Sequence, residues 1–169
     1  GNKKITYEEI ITKGEITKGK NLFSLNLKKI GTSISKMPYI NTVEVKRKLP
    51  DKLLINVTES VPAAYIAYKN IFVVIDKNGK VLERVGSKGG YKIPQVLGII
   101  TDKAEPSQKI SVKDEEKFKK TLEILRDLYN NNFIDRIQSI SMSKEEIILS
   151  ISDVLTVEMG SYEQFNAKI

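Results

Sequence analysis

The chain has 169 residues, enough for one ordinary domain or two small ones, and 40% of them are hydrophobic, enough for a folded core. Cysteine and histidine are both absent, which excludes disulfides and thiolate chemistry and removes the usual general base near neutral pH. The net charge of +7 is uneven: residues 1–110 hold 20 Lys+Arg against 10 Asp+Glu, and residues 111–169 hold 8 against 11. A basic front part suits an anionic membrane, a polyanionic wall or nucleic acid as neighbour, or simply keeps the surface hydrated. No run reaches the roughly 18 apolar residues of a membrane-spanning helix. No signal-peptide pattern is present either, so Gly1-Asn2 reads as the start of an excised soluble piece.

Thr6 to Gly14 predicts a short helix, with Thr6 and Glu9 as a capping box, Tyr7, Ile10 and Ile11 on one face, and Gly14 ending it left-handed. Gly19-Lys20-Asn21-Leu22-Phe23 predicts a loop whose Leu22 and Phe23 plug the core. A phosphate loop is disfavoured there, because Asn21 stands where the Mg²⁺-binding hydroxyl belongs. Asn26 caps a second predicted helix to about Lys36, with Leu27, Ile30, Ile34 and Met37 as its apolar stripe and Pro38 closing it.

Val43 to Ala64 carries the clearest pattern. Val43, Val45 and Leu49 alternate with Glu44, Lys46 and Lys48, and the alternation resumes at Leu53, Ile55 and Val57 after Pro50-Asp51. This predicts a hairpin with one buried face, stopped by Pro62. Two helices on one face of a small sheet make an α+β layer arrangement. Pro62 marks the expected boundary between a domain of residues 1–61 and one of residues 62–169.

Beyond it, Ala63 to Tyr68 and Ile71 to Asp76 predict strands, and Asn78-Gly79 a tight turn into Val81-Leu82. Asp76 reads as a turn former rather than a catalytic acid. Gly86 to Gly90 reads as a flexible loop, and Asp102 to Val112 as polar and loop-like. Lys113 to Asn131 predicts the longest helix, with Phe118, Leu122, Leu125 and Tyr129 as its stripe, widened by Ile124 and Leu128. The acidic residues 114–116 at its start suit the helix dipole. Three consecutive side chains fan round a helix and cannot converge on one cation. Ile134 to Met142 and Ile147 to Ser152 predict a hairpin whose buried face the alternation leaves ambiguous. Val154 to Met159 predicts another strand, ended by Gly160, and Tyr162 to Ile169 the start of a last helix.

Several of these segments carry a resemblance. Gly19-x-Asn21-Leu22-Phe23, Arg47-x-Leu49-Pro50, Glu59-x-x-Pro62-x-Ala64, Asp76-x-x-Gly79 and Pro94-x-x-x-Gly98 occur in the order found in the FtsQ/DivIB family of bacterial cell-division proteins. The resemblance covers almost the whole chain and is strongest over residues 19–98. It implies a POTRA domain over residues 1–61, its first strand missing, and a strand-rich β domain with one long helix over residues 62–169, its last strands missing. It implies a non-catalytic scaffold of the divisome, outside the cytoplasmic membrane at the septum and anchored by a single helix upstream of Gly1. The implied partners are FtsB and FtsL, and the implied role is to help regulate septal peptidoglycan synthesis. No cofactor, metal, small-molecule substrate or nucleic acid is expected, while an anionic membrane surface is a further expected neighbour. The partner interface is expected at Val154, Leu155, Thr156, Val157, Glu158 and Met159, because the family's contact strands come next.

Three other readings stay open. One is a POTRA unit of an assembly or secretion system, against which the strand-rich second part argues. Another is a nucleic-acid-binding domain driven by the basic front, although no recognition helix or stacking platform is recognisable. The third is a wall-active hydrolase using a carboxylate pair, for which the sequence fixes no pair.

Overall fold

The computed structural model describes residues 4–143, 146–151 and 155–160. The chain divides into two compact units, Gly1–Ser60 and Val61–Ile169.

The first unit begins with helix α1, Tyr7–Lys13, set by the Thr6–Glu9 capping box. The Thr6 amide donates to Glu9 Oε2 at 2.7 Å, and the Glu9 amide donates back to Thr6 Oγ1 at 3.2 Å. These bonds satisfy amides that a helix start leaves without partners. Gly14 ends α1 in the right-handed conformation, not the left-handed one, and the positive φ falls one residue later, at Glu15. Tyr7 is exposed, since a two-turn helix turns only Ile10 fully inward. Asn26 caps helix α2, Leu27–Ser35, through a 2.9 Å bond from the Lys29 amide.

Strands β1, Ile40–Lys48, and β2, Lys52–Glu59, form the expected antiparallel hairpin. Val43 faces Val57, Val45 faces Ile55, and Arg47 faces Leu53. The inward series packs on a core of Ile5, Ile10, Ile30, Ile34 and Ile40. Leu49 departs from the alternation: it is 65% exposed, because it lies past the last β1 residue, in the turn. The Leu49–Pro50 peptide there is cis.

The second unit is built on a seven-stranded mixed sheet. Its strands are β3, Pro62–Tyr68; β4, Ile71–Asp76; β5, Val81–Val85; β6, Gln95–Leu97; β9, Ser139–Met142; β10, Ile147–Ser150; and β11, Thr156–Gly160. Their spatial order is β11-β10-β9-β6-β3-β4-β5, with β3–β6 and β6–β9 parallel and the rest antiparallel. A two-stranded ribbon of β7, Thr101–Lys103, and β8, Ser111–Val112, replaces the loop expected over 102–112. Ala104, Ile110 and Val112 are buried there, and Arg84 Nε donates to the Ala104 carbonyl at 2.7 Å.

Helix α3, Glu115–Asn130, is capped by Asp114, with Glu115 and Glu116 in its first turn. It buries Phe118, Leu122, Ile124, Leu125 and Leu128 in the same core as the sheet residues Ile66, Val73, Ile75 and Ile140. The stretch from Ile134 is not strand from its start: Ile134–Arg136 is a 3₁₀ turn and pairing begins at Ser139. Within β9 the buried face is that of Ile140 and Met142. Ser143 bridges to Glu146 at the following turn, whereas Val154 and the helix expected over 162–169 lie outside the described residues.

Candidate partner-binding edge

Strand β11 closes one end of the seven-stranded sheet, pairing only with β10 among the described strands. Leu149 faces Val157, Ile148 faces Glu158 and Ser150 faces Thr156. The period of two then sorts the side chains. Thr156 and Glu158 are exposed, while Val157 and Met159 turn half-buried toward the other face. Leu155, just before the strand, is 52% exposed, and its carbonyl accepts a 2.9 Å bond from the Ile151 amide.

Beneath β11 the sheet and α3 leave an apolar groove of about 320 Å³, lined by Leu128, Phe133, Ile137, Leu149, Val157 and Met159 among others. Asp127 and Asn131 are the polar residues on its wall. Phe133 is 48% exposed just past the helix end. A sheet end beside an apolar groove suits an added strand: backbone bonding supplies affinity and the groove sorts alternate side chains. The sequence signals the strand of this site but not its groove, whose residues come from three separated stretches of the chain, 127–137, 149–151 and 157–159. The one local hint is Phe133, an aromatic residue standing directly after the polar run Asn130-Asn131-Asn132.

The other motif residues lie elsewhere and hold the fold. In the first unit, Gly19 takes φ +86° and Asn21 caps the 3₁₀ turn Leu22–Ser24 by accepting from the Phe23 amide at 2.9 Å. Leu22 is buried, but Phe23 is not the core plug expected of it: it is 68% exposed, with the Arg47 guanidinium over its ring. Arg47 is occupied in tying the turn to the hairpin, donating to the Leu22 carbonyl at 3.0 Å and the Leu25 carbonyl at 2.8 Å. The Glu59 carboxylate accepts from the amides of Lys4 and Ile5, at 3.0 and 2.9 Å, and so holds the segment before α1 on the end of β2.

In the second unit, Pro62 opens β3, opposite Asp76. Buried Asp76 accepts from the Asn78 amide at 2.8 Å and the Lys80 amide at 3.0 Å, a turn-forming role. Gly79 sits against Phe118 at that turn. The Pro94 carbonyl accepts from the Tyr65 amide at 2.8 Å, beside the parallel pairing of β3 with β6. Among the described residues, no group of three acidic side chains is placed to hold a metal ion. No helix among them is long and apolar enough to cross a membrane.

Two helices on a hairpin, followed by a strand-rich unit carrying one long helix, define an α+β protein of POTRA type, and residues 1–60 match the family model described as POTRA domain, FtsQ-type. The chain is 32% identical over 160 residues to the cell division protein DivIB of Clostridium tetani, covering 90% of this chain and 60% of that protein. It is 31% identical to DivIB of Clostridium botulinum strain Hall, covering 100% of this chain and 66% of that protein. With the cell division protein FtsQ of Syntrophotalea carbinolica it shares 33% identity over 98 residues, 58% of this chain and 34% of the other. The chain belongs to the FtsQ/DivIB family of cell-division proteins. It spans about two thirds or less of the length of these relatives.

Proposed function

We propose that this chain is the extracytoplasmic part of a divisome scaffold that acts by holding other chains. The relatives' shared name as cell division proteins supports a role at the septum. In this reading residues 62–169 are the family's β domain, tethered outside the cytoplasmic membrane by a helix of the longer protein. Its partners are the extracytoplasmic parts of FtsB and FtsL, and through them it helps regulate septal peptidoglycan synthesis. The work is binding, with no reaction performed on a substrate.

The single observation that carries this reading is the end position of β11 beside the apolar groove. A strand laid along β11 extends the sheet, and its alternate side chains enter the space lined by Phe133, Val157 and Met159. The interface therefore includes Leu155 to Met159 on this chain, with Val154 immediately before them. The test is a titration of the 169-residue chain, and of a longer chain continuing past Ile169, with the extracytoplasmic segments of FtsB and FtsL. Binding that strengthens in the longer chain and is weakened in both by Val157→Lys supports the reading. Binding indifferent to Val157→Lys in both chains removes β11 from the interface.

A further inference from the structure

We propose that the closed end of the β1–β2 hairpin is a lipid-contacting tip that seats on an anionic membrane surface. Residues 1–60 hold 12 Lys+Arg against 6 Asp+Glu, so this unit carries +6 of the chain's +7. At the tip the register sets Lys48 directly opposite Lys52. Like charges facing each other across a hairpin are destabilising, and an anionic group lying over both relieves the repulsion. The next pair on that face is Lys46 opposite Leu54, followed by Glu44 opposite Asn56. Glu44 is engaged by Lys46 and by Asn56, which leaves Asp51, within the turn, as the other acidic residue near the two facing lysines.

Apolar side chains accompany these charges. Of the four large hydrophobic residues exposed in this unit, two belong to this end of the hairpin: Leu49 in the turn, 65% exposed, and Leu54, opposite Lys46 on the face of the two lysines, 42% exposed. Single exposed apolar residues are ordinary, but two set among Lys46, Lys48 and Lys52 suit a partner offering both chemistries. A soluble polyanion would meet the lysines and leave Leu49 and Leu54 in water. A bilayer interface supplies anionic headgroups at one depth and hydrocarbon just below, matching lysines that flank a protruding leucine.

The experiment is cosedimentation of the 169-residue chain with vesicles of phosphatidylcholine alone, or with about a third phosphatidylglycerol. Binding to the anionic vesicles only, weakening as salt rises, is expected. Lys48→Ser with Lys52→Ser lowers the partition coefficient about 25-fold, taking roughly fivefold per lysine. Leu49→Ser with Leu54→Ser lowers it about tenfold, with circular dichroism unchanged because neither residue belongs to the core of this unit. Lys13→Ser with Lys28→Ser, the same charge change on α1 and α2, has a clearly smaller effect. No binding to anionic vesicles at low salt would overturn the proposal. So would equal losses for the two lysine pairs, which would mean diffuse charge. Undiminished binding by the leucine variant would mean that only a polyanion is recognised.

Discussion

Replacing Gly79 with alanine tests how the second unit is packed around the turn between β4 and β5. Gly79 has φ +80°, a conformation in which an L side chain is strained by about 1–2 kcal/mol. A Cβ placed there would also stand 3.1 Å from the Phe118 ring and 3.2 Å from Leu122. Both neighbours are buried, at 1% and 3% exposure, so neither has open space to retreat into. Over-packing of this kind costs about 1–3 kcal/mol, giving a total loss of about 2–5 kcal/mol. Gly98 supplies the comparison within the same unit: its φ is +71°, but a Cβ there meets the far end of the flexible Lys117 side chain at 3.1 Å. Gly98→Ala therefore loses little beyond the backbone strain, about 1–2 kcal/mol. Urea unfolding followed by circular dichroism reads the difference. With a slope of about 2 kcal/mol/M, a loss of about 3 kcal/mol lowers the midpoint by about 1.5 M. Equal midpoints for the two variants would refute the claim that Phe118 and Leu122 crowd this turn.

Arg47→Lys keeps the charge but loses the planar fork that reaches two carbonyls at once, so the first unit should unfold about 1–3 kcal/mol more easily in the same assay. Thr101→Val should raise the stability of the second unit by about 1 kcal/mol, seen as a higher thermal midpoint, because the Thr101 hydroxyl is buried without a hydrogen-bond partner. The Thr6 backbone N–H, aided by the Thr6 hydroxyl, holds the Glu9 carboxyl below its ordinary pKa. A lowered folded-state pKa gives stabilisation that is present above the unfolded value and lost as pH falls through the folded one. Carbon-detected NMR should find Glu9 titrating below a free glutamate, with protection of the Thr6 amide fading over the same acidic range; Thr6→Ala, which keeps that amide, should only lessen the lowering, whereas Glu9→Gln should abolish the pH dependence of the protection.

Local chemistry was the most legible part of the sequence. The caps Thr6 and Asn26 each bind an amide three residues away, and Asp76 binds amides two and four residues away, so a short window contains both partners; Asp114, read as part of the helix, is its cap. Legibility fell where partners are distant. Arg47 bonds carbonyls 22 and 25 residues earlier, and Glu59 bonds amides 54 and 55 residues earlier, which no periodicity announces. The parallel pairing of β3, β6 and β9 joins segments separated by long connections, and β6 is too short to show a period of its own. Alternation also misled at Leu49, since the pattern ran one step past the strand into the turn. At Phe23 an aromatic residue in a structured turn was read as core, whereas its neighbour Leu22 takes that place. The polar segment 102–112 concealed its ribbon because only Ala104, Ile110 and Val112 face inward. The candidate edge followed the same division. Strand β11 showed in its own residues, while the groove under it is assembled from α3, the turn after it, β10 and β11.

The most direct test of the account is partner binding at β11 itself. Calorimetric titration of the chain with the extracytoplasmic segment of FtsB should give binding that Glu158→Pro, which removes a backbone donor pointing away from β10, weakens at least about tenfold, as does Val157→Lys. Lys48→Ser, on the hairpin of the other unit, should leave that affinity unchanged. Full affinity in both the Glu158→Pro and the Val157→Lys variants, each shown by circular dichroism to remain folded, would contradict the claim that this chain works by lending the end of its sheet to another.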